Sequence, residues 1–443
     1  MAFPDSKITK FVRRVIMVST FALFFVTAPI VILYTAGYRY NFSNGKLERT
    51  GVISIDANPT VAEYFVNGKL VGDKSPLRIP NLPPGSYRVS IRAAGYRSFE
   101  KDVIVQSQQT TYSKNIFLYT ETLPEKYSSD YANAKAIKIS PTGKYLLILT
   151  QNSEADKYSL LLVNTDNDVK QILREFSSSE KVHYAWSPYA DFIVIESYTN
   201  TRINISILTA EDPVSVRTET FPITVEYTWG HSNNSPELIV KNNEQISLLT
   251  TVGISEIATT TASAWFVDAS GKLWTADHDK ILIEQNSDNA RAYSLLSEPE
   301  SIISIDKKRA IIKTTDGITV VKFSSNEPEI RHISNASDLY FNNSTNEWLI
   351  WTDSELWSVY EDGSVTILNR TGERIILVRP VDRYGALLIA TPKGIFAYNP
   401  GYYVTQQLAS ATNITDVGVD IRSRKLYFLG EVVGENNLYK MGY

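Results

Sequence analysis

The sequence predicts a mainly β protein with an N-terminal transmembrane helix, a small β-sandwich and a β-propeller of seven or eight blades. Three observations support this fold class. Residues Val15–Tyr34 form one apolar run without a charged residue. A compact series of apolar strands and tight turns follows within Gly51–Tyr119. From Ala134 onward, short apolar strands recur about every 40 residues, a spacing typical of propeller blades.

The apolar run is long enough to cross a hydrocarbon core of about 30 Å as a helix. We therefore assign residues 15–37 to a transmembrane helix and expect the lipid bilayer to be one partner, through Val15–Tyr34. Basic residues precede the run, and by the positive-inside rule they hold the N-terminus in the cytoplasm. These residues are Lys7, Lys10, Arg13 and Arg14. The sequence thus predicts a single-pass protein of the cell membrane, with residues 1–14 cytoplasmic and the C-terminal domains extracytoplasmic.

A cleaved signal peptide is the alternative for this segment. Its apolar region is about 7–15 residues long and ends at a small-residue cleavage site. Here the run is longer and ends in Tyr34-Thr35-Ala36-Gly37-Tyr38, which is a poor cleavage site. The length of the run favours the uncleaved anchor.

The composition excludes several classes of function. The 443 residues include no Cys, which rules out disulfides, thiolate metal sites and Cys nucleophiles. The net charge is −4, so the chain lacks the overall basic field that nucleic-acid binding requires. We expect no nucleic-acid partner.

A short stalk, residues 38–50 with an Asn44-Gly45 turn, leads into the first β module. Asn67-Gly68 stands between apolar runs, the strongest short signal for a β-hairpin, because both residues accept a positive φ. In Tyr87–Arg92 apolar and polar residues alternate, as in a half-buried strand. About seventy residues with such spacing suit a small β-sandwich over residues 51–119.

This module resembles the PEGA domain family. The resemblance rests on a series of turn motifs that occur in the family's order: Asp56-Ala57-Asn58-Pro59, Val66-Asn67-Gly68, Ser75-Pro76-Leu77, Leu82-Pro83-Pro84-Gly85 and Ala94-Gly95-Tyr96. One corner departs from the family, since Pro59-Thr60-Val61-Ala62 replaces Pro-Glu-Gly-Ala. The resemblance implies a non-catalytic, surface-associated β module without an active site.

The repeating region, residues 120–443, contains about eight units. Their openings lie near Ala136, Val182, Val225, Ala264, Ile302, Leu339, Ile375 and Val417. The last unit lacks one strand, and the segment 118–131 can supply it and close the ring. Two separate β-sandwiches are the alternative, but the even spacing favours a propeller.

Two units carry a Ser-Pro motif at the end of their first strand. The stretch Ile139-Ser140-Pro141-Thr142-Gly143-Lys144-Tyr145 and the later Trp186-Ser187-Pro188 are similar to the Ser-Pro-Asp-Gly-Lys repeat. That repeat belongs to Tol-type propellers and to the propeller of prolyl oligopeptidases. The resemblance covers two blades and implies a propeller fold.

No established catalytic motif occurs, and we expect no catalytic residue, no metal and no cofactor. Two clusters could ligate a metal, Asp277-His278-Asp279 and the segment Asn164 to Glu175. Adjacent residues on an extended turn rarely converge on one ion, so a turn is favoured for the first. In the second, Val169 occupies the position where a calcium loop needs Gly.

Three aromatic residues are the candidate binding residues: Trp348, Trp351 and Trp357. Exposed indole rings could form platforms for sugars or peptides. The alternative is core packing, because alternation directs Trp348 and Trp351 to opposite faces of one strand.

Three functions fit these observations. The first is a membrane-anchored, non-catalytic protein whose propeller binds a partner protein or an envelope polysaccharide. The second is an extracytoplasmic hydrolase or lyase, which requires Asp, Glu, His or Arg side chains that converge in the propeller channel. The third is a structural spacer at the cell surface.

Overall fold

In a computed structural model the chain forms two compact units, Met1–Glu121 and Thr122–Tyr443. The structure describes residues 10–41, 45–152, 156–214, 216–285, 291–323 and 328–443. Lys7 and Asn44, which carried two of the predictions above, lie outside these ranges. Beyond one N-terminal helix and a 3₁₀ turn at Ser129–Tyr131, the elements in these ranges are β-strands. The prediction of a mainly β chain is therefore confirmed.

The helix α1 extends over Lys10–Thr35 and contains Pro29. It begins before Val15, so Arg13 and Arg14 lie inside the helix rather than before it. The segment Phe11–Thr35 is long and apolar enough to cross a membrane, and it is not buried against the rest of the protein. This exposure excludes a core helix, while a membrane anchor and a signal sequence both fit it.

The first unit continues with a hairpin and a β-sandwich. Its strands are β1 Tyr38–Asn41, β2 Lys46–Arg49, β3 Gly51–Asn58, β4 Val61–Val66, β5 Lys69–Lys74, β6 Leu77–Leu82, β7 Gly85–Arg92, β8 Phe99–Val105 and β9 Thr110–Phe117. One sheet has the order β5-β4-β7-β8 and the other β6-β3-β9, with β3 and β9 parallel. Asn67 and Gly68 have φ values of 49° and 79°, as the predicted turn between β4 and β5 requires.

The second unit contains eight four-stranded antiparallel sheets in its described residues. Sheet 8 takes its fourth strand, β10 Glu125–Lys126, from the start of the unit. Sheets 1 to 4 consist of β11 Ala134–Ile139, β12 Tyr145–Asn152, β13 Lys157–Asn164 and β14 Lys170–Ser177; β15 Val182–Trp186, β16 Phe192–Tyr198, β17 Arg202–Thr209 and β18 Arg217–Pro222; β19 Glu226–Trp229, β20 Glu237–Asn242, β21 Gln245–Thr250 and β22 Ile254–Thr259; and β23 Ala264–Val267, β24 Leu273–Ala276, β25 Ile281–Glu284 and β26 Ala292–Ser294.

Sheets 5 to 8 complete the unit. They consist of β27 Pro299–Ile305, β28 Arg309–Thr314, β29 Gly317–Lys322 and β30 Glu329–Ser334; β31 Asp338–Asn342, β32 Glu347–Trp351, β33 Glu355–Val359 and β34 Val365–Arg370; β35 Leu377–Pro380, β36 Leu387–Thr391, β37 Gly394–Asn399 and β38 Val404–Ala409; and β39 Thr412–Asp420, β40 Lys425–Val432 and β41 Glu435–Gly442 with β10.

The eight sheets form a β-propeller. First strands of neighbouring sheets lie beside each other, and β39 of sheet 8 lies beside β11 of sheet 1. Apolar side chains pack between adjacent sheets, for example Leu147 of sheet 1 with Ile193 of sheet 2. Each sheet therefore buries both of its faces, and the first strands surround the central channel.

Candidate functional site

Three charged side chains interrupt the apolar first strands of neighbouring sheets. Lys138 belongs to β11, Arg379 to β35 and Asp416 to β39. All three are half-buried, and the charge of Asp416 interacts with both cations. We call these residues the channel cluster.

Two members of the channel cluster are tied to the backbone of an adjacent sheet. The ammonium of Lys138 donates a hydrogen bond to the carbonyl oxygen of Tyr184 at 2.9 Å. Asp416 Oδ2 accepts one from the backbone N–H of Ile137 at 3.2 Å. These contacts link sheet 1 to sheets 2 and 8 at the first strands.

Arg379 is held differently. Its Nη1 donates to the carbonyl oxygen of the neighbouring Val378 at 2.7 Å. Its guanidinium carbon lies 4.5 Å from the centre of the Tyr340 ring, a cation–π distance. No carboxylate within the described ranges forms an ion pair shorter than 4 Å with it. Most of its five N–H donors therefore have no protein acceptor there.

Burial moves the pKa values of Lys138 and Asp416 toward their neutral forms. It lowers the pKa of Lys138, against the opposing charges of Asp416 and Glu196. It raises the pKa of Asp416, against the Ile137 N–H and the charges of Lys138 and Arg379. Such shifts are common at functional sites, and structural networks also produce them.

A small cavity of about 40 Å³ opens where several first strands end, and we call it the mouth cavity. Its lining includes Ser140, Thr142, Tyr340, Asn342, Ser344 and Arg379. Sheets 1, 6, 7 and 8 contribute this wall, and the Ser-Pro motif of sheet 1 forms part of it. The cavity combines one cation with hydroxyl and amide groups, a set that can hold an anionic or strongly polar group.

Side chains from opposite sheets meet beside the mouth cavity. Asn343, after β31, donates its amide N–H to the carbonyl oxygen of Pro188, after β15, at 2.7 Å. The ring of Tyr189 lies 6.4 Å from Phe341 and 5.5 Å from His231. One hydrogen bond and three packed rings therefore connect sheets 2, 3 and 6 beside the mouth cavity.

A second polar network surrounds Glu196, which is buried in β16. Nδ1 of His183 lies 2.9 Å from its Oε1, and the hydroxyls of Tyr198 and Tyr227 donate to its carboxylate. Burial raises the pKa of Glu196, but these three hydrogen bonds outweigh it and bring the pKa to about 2. Glu196 is thus held as a carboxylate between sheets 2 and 3.

The three Trp residues that the sequence selected do not form a common exposed face. Trp348 and Trp351 are 7% and 0% exposed in β32, and Trp357 of β33 is half-buried against the same core as Trp348. Trp348 and Trp351 point to opposite faces of β32, but neighbouring sheets cover both faces of a propeller sheet. Neither indole ring is therefore exposed to solvent. A buried ring offers no platform, so for Trp348 and Trp351 the structure favours the core-packing alternative.

The two candidate metal clusters are turns whose side chains have separate partners. Asp277 accepts hydrogen bonds from Ser263, and His278 contacts Glu298. In the second cluster Asp166 pairs with Arg422 at 3.2 Å. Within the described ranges, no group of three His, Asp or Glu residues could hold a metal ion.

Sequence reasoning missed the channel cluster and the mouth cavity. A usable signal was present, because Lys138, Arg379 and Asp416 each place a charge within the first strand of a sheet. Their convergence depends on ring closure between sheet 8 and sheet 1, which no local pattern reports.

Comparison with known proteins supports the assignment of the first module. Residues 50–118 match the model of the PEGA domain, which confirms the resemblance of that module. No protein with a curated description matches the chain.

Many solved structures are similar in fold at low sequence identity. An uncharacterized protein from Listeria monocytogenes EGD-e is 12% identical with a TM-score of 0.45, over 66% of this chain and 99% of that chain. The β-propeller domain of the Trilobed protease from Pyrococcus furiosus is 12% identical with a TM-score of 0.38, over 72% and 96%. Porphyromonas gingivalis dipeptidyl peptidase 4 is 11% identical with a TM-score of 0.44, over 68% and 56%. These similarities say nothing about the activity of this chain.

Proposed function

We propose that this chain is a membrane-anchored extracytoplasmic protein that binds a partner protein or an envelope polymer through its propeller, without catalysing a reaction. The mouth cavity carries this proposal. It places one half-buried guanidinium beside amide and hydroxyl groups at an open end of the channel. Polar groups that converge in a concave site are typical of ligand recognition.

The anchor and the PEGA module support the same function. An apolar helix at one end fixes the chain to a bilayer, and basic residues such as Arg13 and Arg14 favour a cytoplasmic N-terminus. The propeller is then presented outside the membrane. A site at the propeller mouth is accessible to a partner in that compartment.

A photo-crosslinking experiment on intact cells tests the proposal. A photoreactive amino acid replaces Asn343, an exposed residue at the rim of the mouth cavity. The matched control carries it at Gln171, exposed on the outer strand β14 of sheet 1. We expect a discrete, saturable adduct from position 343 alone. The proposal would be overturned if position 343 gave no adduct, or if positions 343 and 171 gave the same adducts.

An extracytoplasmic hydrolase or lyase is the second candidate, favoured by the shifted pKa values of Lys138 and Asp416 in the channel. Each side chain has one backbone partner, Ile137 for Asp416 and Tyr184 for Lys138, and neither lines the mouth cavity. Turnover of envelope glycans or peptides by the purified full chain, abolished by Asp416→Asn, would establish the enzyme instead.

A further inference from the structure

We infer that the mouth cavity recognises a carboxylate group of a peptide, bound by the guanidinium of Arg379. This inference rests on the proposed binding function and specifies its ligand. It follows from four features of the site: the state of Arg379, the surrounding charges, the size of the cavity and the position of its aromatic rings.

Arg379 is oriented but not neutralised. The Tyr340 ring and the Val378 carbonyl fix the guanidinium from one side, and the remaining N–H groups have no protein acceptor in the described ranges. A guanidinium presents paired N–H groups whose spacing matches the two oxygens of a carboxylate. Because the group is already fixed in place, little conformational entropy is lost when an anion binds.

The charges around Arg379 favour a monoanion over a dianion such as a phosphate monoester. Asp416 interacts electrostatically with Arg379. Asp191 accepts hydrogen bonds from Thr142, which lines the cavity. The buried carboxylate of Asp420 lies behind Gly143, another lining residue. These carboxylates repel added negative charge, so one guanidinium suits a ligand with a single charge.

Cavity size and ring positions favour a peptide over a polysaccharide. A volume of about 40 Å³ holds a group the size of a few water molecules, which suits a single carboxylate and is too small for a sugar ring. The contact between Asn343 and Pro188 bridges the mouth beside it, whereas a long polymer needs a groove open at both ends. Sugar-binding sites commonly use exposed aromatic faces, and here Tyr340 is stacked under Arg379 while Trp351 is buried.

Ligand-induced thermal stabilisation of the full chain in detergent micelles measures this recognition. The probes are the capped peptides acetyl-Gly-Gly-Glu-Gly-Gly-amide and its Gln counterpart, with trigalacturonate as the polysaccharide probe. A ligand that binds only the folded state raises the melting temperature in proportion to the logarithm of its concentration above Kd. We expect the melting temperature to rise with the logarithm of the Glu-peptide concentration, at least tenfold more Gln peptide to be needed for the same rise, and no rise with trigalacturonate.

Variants assign the effect to the cavity. Arg379→Gln should abolish the response and Arg379→Lys should weaken it, because an ammonium cannot bind a carboxylate in a bidentate way. Arg383→Gln is the matched control, since Arg383 is an exposed arginine just after β35. Urea unfolding, followed by Trp fluorescence, checks that each variant is folded.

Three outcomes would overturn the inference: equal responses to the Glu and Gln peptides, a response that survives Arg379→Gln, or a response to trigalacturonate alone. The last result would assign the site to an acidic polymer. Failure here differs from failure of the proposed function. If the Asn343 adduct persists in the Arg379→Gln variant, partner binding stands and only carboxylate recognition is wrong.

Discussion

Replacing Glu196 with Gln should destabilise the propeller at pH 7 and reduce the dependence of its stability on pH. The carboxylate is buried between sheets 2 and 3 and accepts hydrogen bonds from His183, Tyr198 and Tyr227. An amide of the same shape cannot accept all three with equal strength. Because the three donors favour the ionised form, part of the folding free energy depends on the charge of Glu196.

The pKa of Glu196 gives the magnitude. It lies at about 2 in the folded protein, below its ordinary value of 4.5, and this difference corresponds to about 3 kcal/mol of stability at neutral pH. A folded-state pKa that is depressed contributes stability above pH 4.5, and this contribution is lost as the pH falls toward 2. By pH 3.5 about 1 kcal/mol of it should already be lost.

Urea unfolding of the full chain in detergent micelles measures the effect. All seven Trp residues lie between positions 186 and 357, so Trp fluorescence reports on the propeller alone. We expect the difference in unfolding free energy between the wild type and Glu196→Gln to be about 2–3 kcal/mol at pH 7. By pH 3.5 this difference should have narrowed by about 1 kcal/mol.

Glu175→Gln provides the control, because Glu175 is exposed on β14. Its difference from the wild type should stay near zero at each pH. A difference for Glu196→Gln that is absent at pH 7, or that is constant down to pH 3.5, would refute the assignment of stability to the ionised Glu196.

Three further predictions follow from the burial pattern. Tyr427→Phe should leave the unfolding free energy unchanged or raise it by up to about 1 kcal/mol, because the buried hydroxyl has no hydrogen-bond partner. A fall in the unfolding free energy of more than about 1 kcal/mol would contradict this expectation. Trp351→Ala should cost about 3–5 kcal/mol by urea unfolding and leave the Asn343 adduct intact; loss of the adduct in folded protein would instead support a binding role for this Trp. Finally, a membrane-impermeant maleimide added to intact cells should label the variant Val433→Cys, because Val433 is 99% exposed in the propeller. It should not label Ser6→Cys, which lies in the segment expected to be cytoplasmic. Labelling of Ser6→Cys alone would show that the N-terminus lies outside the cell.

Much of the fold could be predicted because its signals are local. The Asn67-Gly68 turn needs only two residues that accept positive φ, and both adopt it. The predicted unit openings likewise fall within the first strands of the sheets or within two residues of them. The repeat of apolar strands and turns is therefore enough to locate the sheets along the chain.

The site could not be predicted in the same way, because it depends on contacts between distant segments. Alternation placed Trp348 and Trp351 on opposite faces of one strand, yet it could not show that neighbouring sheets cover both faces. The charge of Arg379 within Leu377–Pro380 was visible. Whether that charge meets a carboxylate, a ring or a cavity is decided by residues of sheets 6 and 8, outside the local strand pattern.

The contacts of the channel cluster indicate a structural role for Lys138 and Asp416 and a different role for Arg379. Lys138 bonds the backbone of sheet 2, and Asp416 bonds the backbone of sheet 1 from sheet 8. Both side chains therefore join first strands, including the pair where the last sheet meets the first, and their shifted pKa values follow from that buried position. Arg379 makes no such hydrogen bond between sheets, since its acceptor in the described residues is the Val378 carbonyl oxygen of its own strand. Of the three residues in the channel cluster, Arg379 is the one that lines the mouth cavity. The proposed ligand recognition is therefore assigned to Arg379 rather than to Lys138 or Asp416.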